Sequence, residues 1–460
     1  MVGWLWFLLQ FILIAGFITY IVISSKKAMA EGKTTWFMKT WEKDSVKSVA
    51  SSLISIICGL LIGCLILLLM LIIPLKNLSL SFKSFNEGVQ LMFSGVLNIG
   101  RTESGALKFG IDDKSLSAIG EMLFRATPLI LTGLSVAVAF KTGLFNIGAP
   151  GQYLVGTAVT LILALSIPTT VVSPFFVWVI AFIGGILAGA IWGAVPGLFK
   201  ACLNVNEVIT CIMMNWIAAN VVTLLFDKEI GPFNYLLDPS DTKNLAYVFK
   251  TTHNNVATSK MGLDLIFKGS QVNGGIIIAI VIAIIVYIVL NKTTFGYQLK
   301  ACGSNKNASK YAGINEKVCT IVSMSIAGGL AGAGAALYYL AGNTEFAWET
   351  YQTLPAVGFN GIPVALLASN NPVGVIFSTL FISLLDENGM VLKRMTSYNE
   401  YITSIITAVI VYFSAFSLLF KQVLSGKVKI NINSLFKRTK VNTFENITKE
   451  KINTKEEASK

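Results

Sequence analysis

Histidine occurs once in these 460 residues, at position 253, and charged residues make up only 13% of them. A soluble domain carries about a quarter charged residues, so a cytosolic globular enzyme is excluded. Six cysteines (Cys58, Cys64, Cys202, Cys211, Cys302 and Cys319) are present without a CxxC pair. A His/Cys metal site or a histidine-dependent triad therefore lacks the neighbours it needs. No catalytic residue and no metal ligand are expected, and the thiols are read as small apolar side chains. A phosphate-binding loop is missing as well. The segment KAMAEGKT at 27–34 has Gly32, Lys33 and Thr34 but places Lys27 where the first glycine belongs. No cofactor is expected in this chain, and hydrolysis of ATP is not expected from it.

What the chain has instead is apolar length. Hydrophobic residues form 54% of it and the mean hydropathy is +0.69. Eleven apolar runs stand near 4–24, 50–74, 119–140, 146–167, 174–199, 207–226, 273–290, 318–341, 354–369, 372–386 and 400–420. At 1.5 Å per residue, runs of about 20 cross a ~30 Å hydrocarbon core. The expected fold class is an all-α polytopic membrane protein.

The net charge of +12 does not point to nucleic acid, because it is distributed by side. Ten of the 36 Lys and Arg residues follow Phe420, and eleven more lie in 25–49 and 291–317. These are read as cytoplasmic under the positive-inside rule. The first run has Lys26 and Lys27 after it rather than before it, so it is read as a retained helix starting outside. Lys393 and Arg394 fall on a segment expected outside and depart from the rule. The expected organisation is an extra N-terminal helix with a basic linker at 1–49, a membrane domain at 50–420, and a basic, disordered tail at 421–460.

Two blocks of four runs, 119–226 and 318–420, begin by crossing in opposite directions, as inverted repeats do. Each carries a segment that is hard to keep in an unbroken helix. The first reads FKTGLFNIGAPGQ with Gly143, Asn146, Gly148 and Pro150, and the second reads LPAVGFNGIP with Gly358, Asn360, Gly361 and Pro363. Broken helices at matching places in two halves mark a transport pathway. Neutral carboxamides there both donate and accept, and phenyl rings offer stacking faces. The candidate pathway residues are Phe145, Asn146, Gln152, Asn215, Phe359 and Asn360. Glu121, Arg125 and Glu207 lie near run ends, where solvation or snorkelling accommodates them.

Between the runs ending at 290 and starting at 318 lies NKTTFGYQLKACGSNKNASKYAGINEK. Asn305 can cap a helix over 306–311 and Gly313 can end it in the left-handed region. The pattern Gly303, Asn305, Ala308, Tyr311, Ala312, Gly313, Ile314, Asn315 resembles the coupling loop of ABC importer permeases of the branched-chain amino acid, ribose and nucleoside superfamily.

The segments RATPLILTGLSVAVAFKTGLFNIGAPGQYLVG, VNEVITCIMMNW and GFNGIPVALLASNNPVGV are similar to the nucleoside branch, whose permeases pair with basic-membrane-lipoprotein receptors. The resemblance covers about 119–420 and implies a core of about ten helices in the plasma membrane of a prokaryote. It further implies a cytoplasmic ATP-binding subunit holding ATP and Mg, a second permease subunit, and an extracytoplasmic lipoprotein receptor. Gly303, Asn305, Ala308, Tyr311, Gly313 and Ile314 are the coupling residues it implies. Pro150 and Asn360 stand where relatives often carry acidic residues. Import of sugars or branched-chain amino acids is the alternative within the class. An ion-coupled secondary transporter is the alternative outside it, although the run centres lack a convincing ionisable coupling site.

Overall fold

The computed structural model describes residues 44–75, 78–227, 229–236, 246–247, 256–342, 344, 346–349, 351–396, 398 and 401–424. The run at 4–24, the segment at 27–34, His253 and the tail beyond 424 lie outside the described residues. One compact unit covers Ser55–Ala415; a second is made of Met1–Ile54 and Phe416–Lys460. The described helix of the second unit's C-terminal segment is Ser417–Leu424.

In chain order the helices are α1 (Asp44–Leu75), α2 (Leu78–Ser94), α3 (Asp113–Lys141), α4 (Ala149–Ser166), α5 (Pro174–Leu203), α6 (Glu207–Leu225) and α7 (Gly275–Lys292). They continue as α8 (Thr294–Ser304), α9 (Lys306–Tyr311), α10 (Glu316–Tyr339), α11 (Ala356–Leu367), α12 (Pro372–Met395) and α13 (Tyr401–Ala415). A hairpin of β1 (Asn98–Arg101) and β2 (Leu107–Phe109) pairs Arg101 with Leu107. Among the described residues, seven helices are long and apolar enough to cross a membrane. They are α3 to α7, α10 and α12.

Helix α3 is the central element. Asp112 caps it, accepting from the amides of Lys114 and Ser115 at 3.0 Å, while Ser115 Oγ accepts from the Asp112 amide at 2.8 Å. Its Leu131 and Leu134 form one buried cluster with Leu337 of α10, Val364 of α11 and Val375 of α12. Beside it, α5 and α10 cross with their backbones in direct contact at paired glycines. Gly185 and Gly189 of α5 meet Gly332 and Gly328 of α10 so closely that a Cβ on Gly328 would overlap the Gly189 carbonyl. Small residues permit such approach in membranes, where packing rather than water drives association.

Lysines mark one end of the bundle, its basic end, while the hairpin end carries Arg101, Lys108, Lys114, Lys393 and Arg394. Lys141 and Lys200 close α3 and α5, and Lys317 opens α10. Lys200, Lys306 and Lys317 share one cavity of about 310 Å³. Helices α3, α5 and α7 run towards this basic end, and α4, α6 and α10 run away from it. The hairpin marks the opposite end, where Arg101 donates to the Met395 carbonyl at 2.8 Å.

Several expected boundaries change. The segment 354–369 is not a full crossing, since α11 has 12 residues, about 18 Å of helix. It also is not broken: Gly358, Asn360, Gly361 and Pro363 are all helical, with Pro355 as the N-cap. Helix α4 starts at Ala149 rather than 146, leaving Asn146 in the connection from α3. Helix α12 continues past 386 to Met395, which brings Glu387 and Asn388 inside it. Helix α2 and the hairpin occupy the stretch between the runs at 50–74 and 119–140.

Candidate transport pathway and coupling surface

The chain leaves α3 through Gly143, whose φ of +74° suits glycine, and reaches Asn146, which is 0% exposed. Its Nδ2 donates to Ser135 Oγ at 3.0 Å and to Gln152 Oε1 at 2.8 Å. Its Oδ1 accepts from the Gly148 amide and from Gln152 Nε2, both at 3.1 Å. Asn215 of α6 clasps the same connection from the other side. Its Oδ1 accepts from the Gly151 amide at 2.9 Å and its Nδ2 donates to the Ile147 carbonyl at 3.0 Å. Non-helical backbone at membrane depth is tolerated only where protein satisfies it or water reaches it. Here the carboxamides of Asn146, Gln152 and Asn215 do the satisfying, and these buried groups hold the connection in place.

The structure brings the two segments singled out in the sequence together. Gly358 of α11 abuts Pro150 at the start of α4, where an added Cβ would lie 2.5 Å from the Pro150 Cα. Gly361 abuts the backbone of Thr132, and Thr132 Oγ1 donates to the Val357 carbonyl at 3.1 Å. The glycines of the second segment thus serve close approach. Asn360 and Phe359 stand exposed, Phe359 by 38%. Phe145 packs on Phe140 with ring centroids 5.1 Å apart.

The loop between α7 and α10 folds as its local signals require. Asn305 Oδ1 accepts from the Ala308 amide at 3.0 Å, α9 follows, and Gly313 ends it at φ +77°. Ile314 packs on the buried Leu299, Cys302 and Cys319, which seats the loop. Tyr311 is 95% exposed. A cleft of about 500 Å³ beside it is lined by Tyr297, Lys300, Asn305, Ala308, Ala312 and Ile314, among others. Gly303, at the end of α8, lies directly on the first connection. A Cβ there would sit 2.6 Å from the Gly143 nitrogen, and one on Gly143 would sit 2.6 Å from the Gly303 Cα.

Sequence reasoning missed a charged pair at the hairpin end. Arg125 Nε of α3 lies 3.8 Å from Glu387 Oε2 of α12. Glu121 Oε1, one turn along α3, accepts from the Gln271 amide at 2.7 Å. Asn388 donates to the Met92 carbonyl at 2.9 Å and accepts from the Val96 amide at 2.7 Å. The signal available was the run of polar residues at 386–388, which reads as the end of an apolar segment.

Helices alternating in direction about a satisfied non-helical connection, glycine-to-glycine crossings and a capped helix at the basic end define a multi-pass membrane permease. The chain belongs to the family described as branched-chain amino acid transport system / permease component, whose model matches residues 118–415. It is 34% identical over 339 residues to the nucleoside ABC transporter permease protein NupB of Lactococcus lactis, covering 72% of this chain and 89% of that one. It is 33% identical over 378 residues to the guanosine ABC transporter permease protein NupP of Bacillus subtilis, covering 82% and 95%. Similarity to the glucose ABC transporter permease protein TsgB13 of Haloferax volcanii is 28% over 332 residues, covering 71% and 83%. The chain is accordingly a transport component of the ABC permease type rather than an enzyme.

Proposed function

We propose that this chain is one transmembrane subunit of an ATP-driven importer of nucleosides, moved from the basic end by a separate ATP-binding subunit. The observation that carries the reading is the backbone contact between Gly303 and Gly143. It joins the loop bearing the exposed Tyr311 to the connection held by Asn146. An ATPase seated in the cleft over α8 and α9 would push on α9. That push would reach the connection through Gly303, with no side chain to absorb it.

In this reading ATP and Mg sit in the partner, and a second permease subunit completes the path. A lipoprotein receptor delivers solute at the hairpin end. The blocks 119–226 and 318–420 act as inverted repeats, which the opposite directions of α3 and α10 support. Asn360 and Phe359, being exposed, are the residues of the two segments placed to meet solute. The names of NupB and NupP favour nucleosides.

The test is uptake of a labelled nucleoside by cells expressing the full transporter. Uptake is expected to stop on ATP depletion and to persist when proton and sodium gradients are collapsed. The reverse pattern would establish an ion-coupled transporter. ATP-dependent uptake of labelled glucose with none of the nucleoside would move the substrate to sugars.

A further inference from the structure

At the hairpin end a cavity of about 480 Å³ is walled by Asp113, Lys114 and Ser117 of α3, by Val391 and Arg394 of α12 and by the segment from Gly95 to Gly100, with Arg125 and Glu387 lying below its lining. That volume falls within the range of small-molecule sites. The cavity accounts for part of the charge anomaly in the sequence, because Arg394 breaks the positive-inside rule as a wall residue of a polar recess.

Residues three and four apart share a helix face. The stripe through Lys114, Ser117, Glu121 and Arg125 on α3 therefore leads from the cavity down to Arg125. The stripe through Arg394, Val391 and Glu387 on α12 leads down to Glu387. The two stripes end at one another, 3.8 Å apart. Glu387 is 5% exposed and its Oε2 has no hydrogen-bond partner among the described residues, while the Arg125 side chain is 46% exposed. Buried polar atoms are nearly always hydrogen-bonded, and an intramembrane ionisable group is a functional candidate by default.

We propose that this cavity and the seam below it form an outer solute station that takes an uncharged solute bearing adjacent hydroxyl groups. Glu387 is its specificity-determining acceptor. Oε2 has the lone pairs to accept a hydroxyl hydrogen, and among the described residues none donates a hydrogen bond to it, Arg125 Nε standing off at 3.8 Å. Arg125 holds the carboxylate from the side, and Arg394 and Lys114 offer donors to acceptor atoms at the solute's other end. The inference rests on the importer reading and adds to it the part of the solute that is recognised and the residue that recognises it.

The test compares uptake of a labelled ribonucleoside with that of its 2′,3′-dideoxy analogue in cells carrying the full transporter, for wild type, Glu387→Gln, Arg394→Gln and Asp113→Asn at equal membrane abundance. A site built to bond a hydroxyl rejects the analogue lacking it. Wild type should therefore prefer the ribonucleoside, and Glu387→Gln should erase at least about tenfold of that preference. Arg394→Gln should raise the half-saturation concentration with the maximal rate kept. Wild-type preference in Glu387→Gln, or wild-type half-saturation in Arg394→Gln and Asp113→Asn, overturns the station. If Glu387→Gln does not reach the membrane, the two cavity-wall variants, whose parent residues are exposed, decide the outcome. ATP-dependent wild-type uptake with all ratios unchanged removes the station alone. Wild-type uptake that survives ATP depletion removes the importer reading alone, and wild-type uptake of neither compound removes the nucleoside reading together with the station.

Discussion

Asn146 and Asn360 occupy matching places in the two sequence segments and opposite environments in the fold. Replacing Asn146 by leucine leaves the Gly148 amide and the Gln152 carboxamide buried without their partner. Each orphaned group costs about 1–3 kcal/mol. Asn360 is exposed, so Asn360→Leu removes no internal bond. Thermal unfolding of the purified variants in detergent is expected to show a clear drop in midpoint for Asn146→Leu and none for Asn360→Leu. Uptake in cells is expected to fall for Asn360→Leu at wild-type abundance. Equal midpoints would show that the carboxamide network around Asn146 is dispensable. The sequence singled out both asparagines because Gly and Pro surround each. It could not separate their environments, because burial is decided by α3 and α6, which bring Ser135 to Asn146 and Asn215 to the adjoining backbone of Ile147 and Gly151.

At the scale of elements, α9 was legible because its signals are local: an asparagine cap three residues before the Ala308 amide and a glycine just past the last turn. The helical state of α11 was not legible. Its glycines look like breakers until Pro150 and the Thr132 backbone are placed against them, when they become the only residues that fit. Helix α12 outran its apparent end for a similar reason, since Asn388 and Glu387 find partners on α2 and α3 that no apolar count can reveal. The Gly303 contact carries its own prediction. A valine there would force α8 away from Gly143, and overpacking costs about 1–3 kcal/mol. Applied to one of two conformations, that shifts their ratio by roughly tenfold. In reconstituted complexes, Gly303→Val is expected to keep ATPase docking and hydrolysis while uptake falls by about that factor. Uptake matched to hydrolysis as in wild type would show that force does not pass through this contact.

For the whole molecule, the importer reading proposed above puts the hairpin outside and α9 inside, in line with the charge rule. Ser104 of the hairpin and Tyr311 are both exposed, so a cysteine at either should react freely with a thiol reagent that reaches it. A membrane-impermeant maleimide is expected to label Ser104→Cys in intact cells, and Tyr311→Cys only after permeabilisation. The opposite pattern would invert the topology and with it the import direction.

The crossing of α5 and α10 bears on how such a molecule can move. Where backbones touch directly there is no cushion of rotamers to yield, so the two rods cannot creep past each other in small steps. Since α10 begins immediately beyond the loop at 305–313, a tilt imposed there would swing both rods as one lever, and the far rim would travel in proportion to its distance from the pivot.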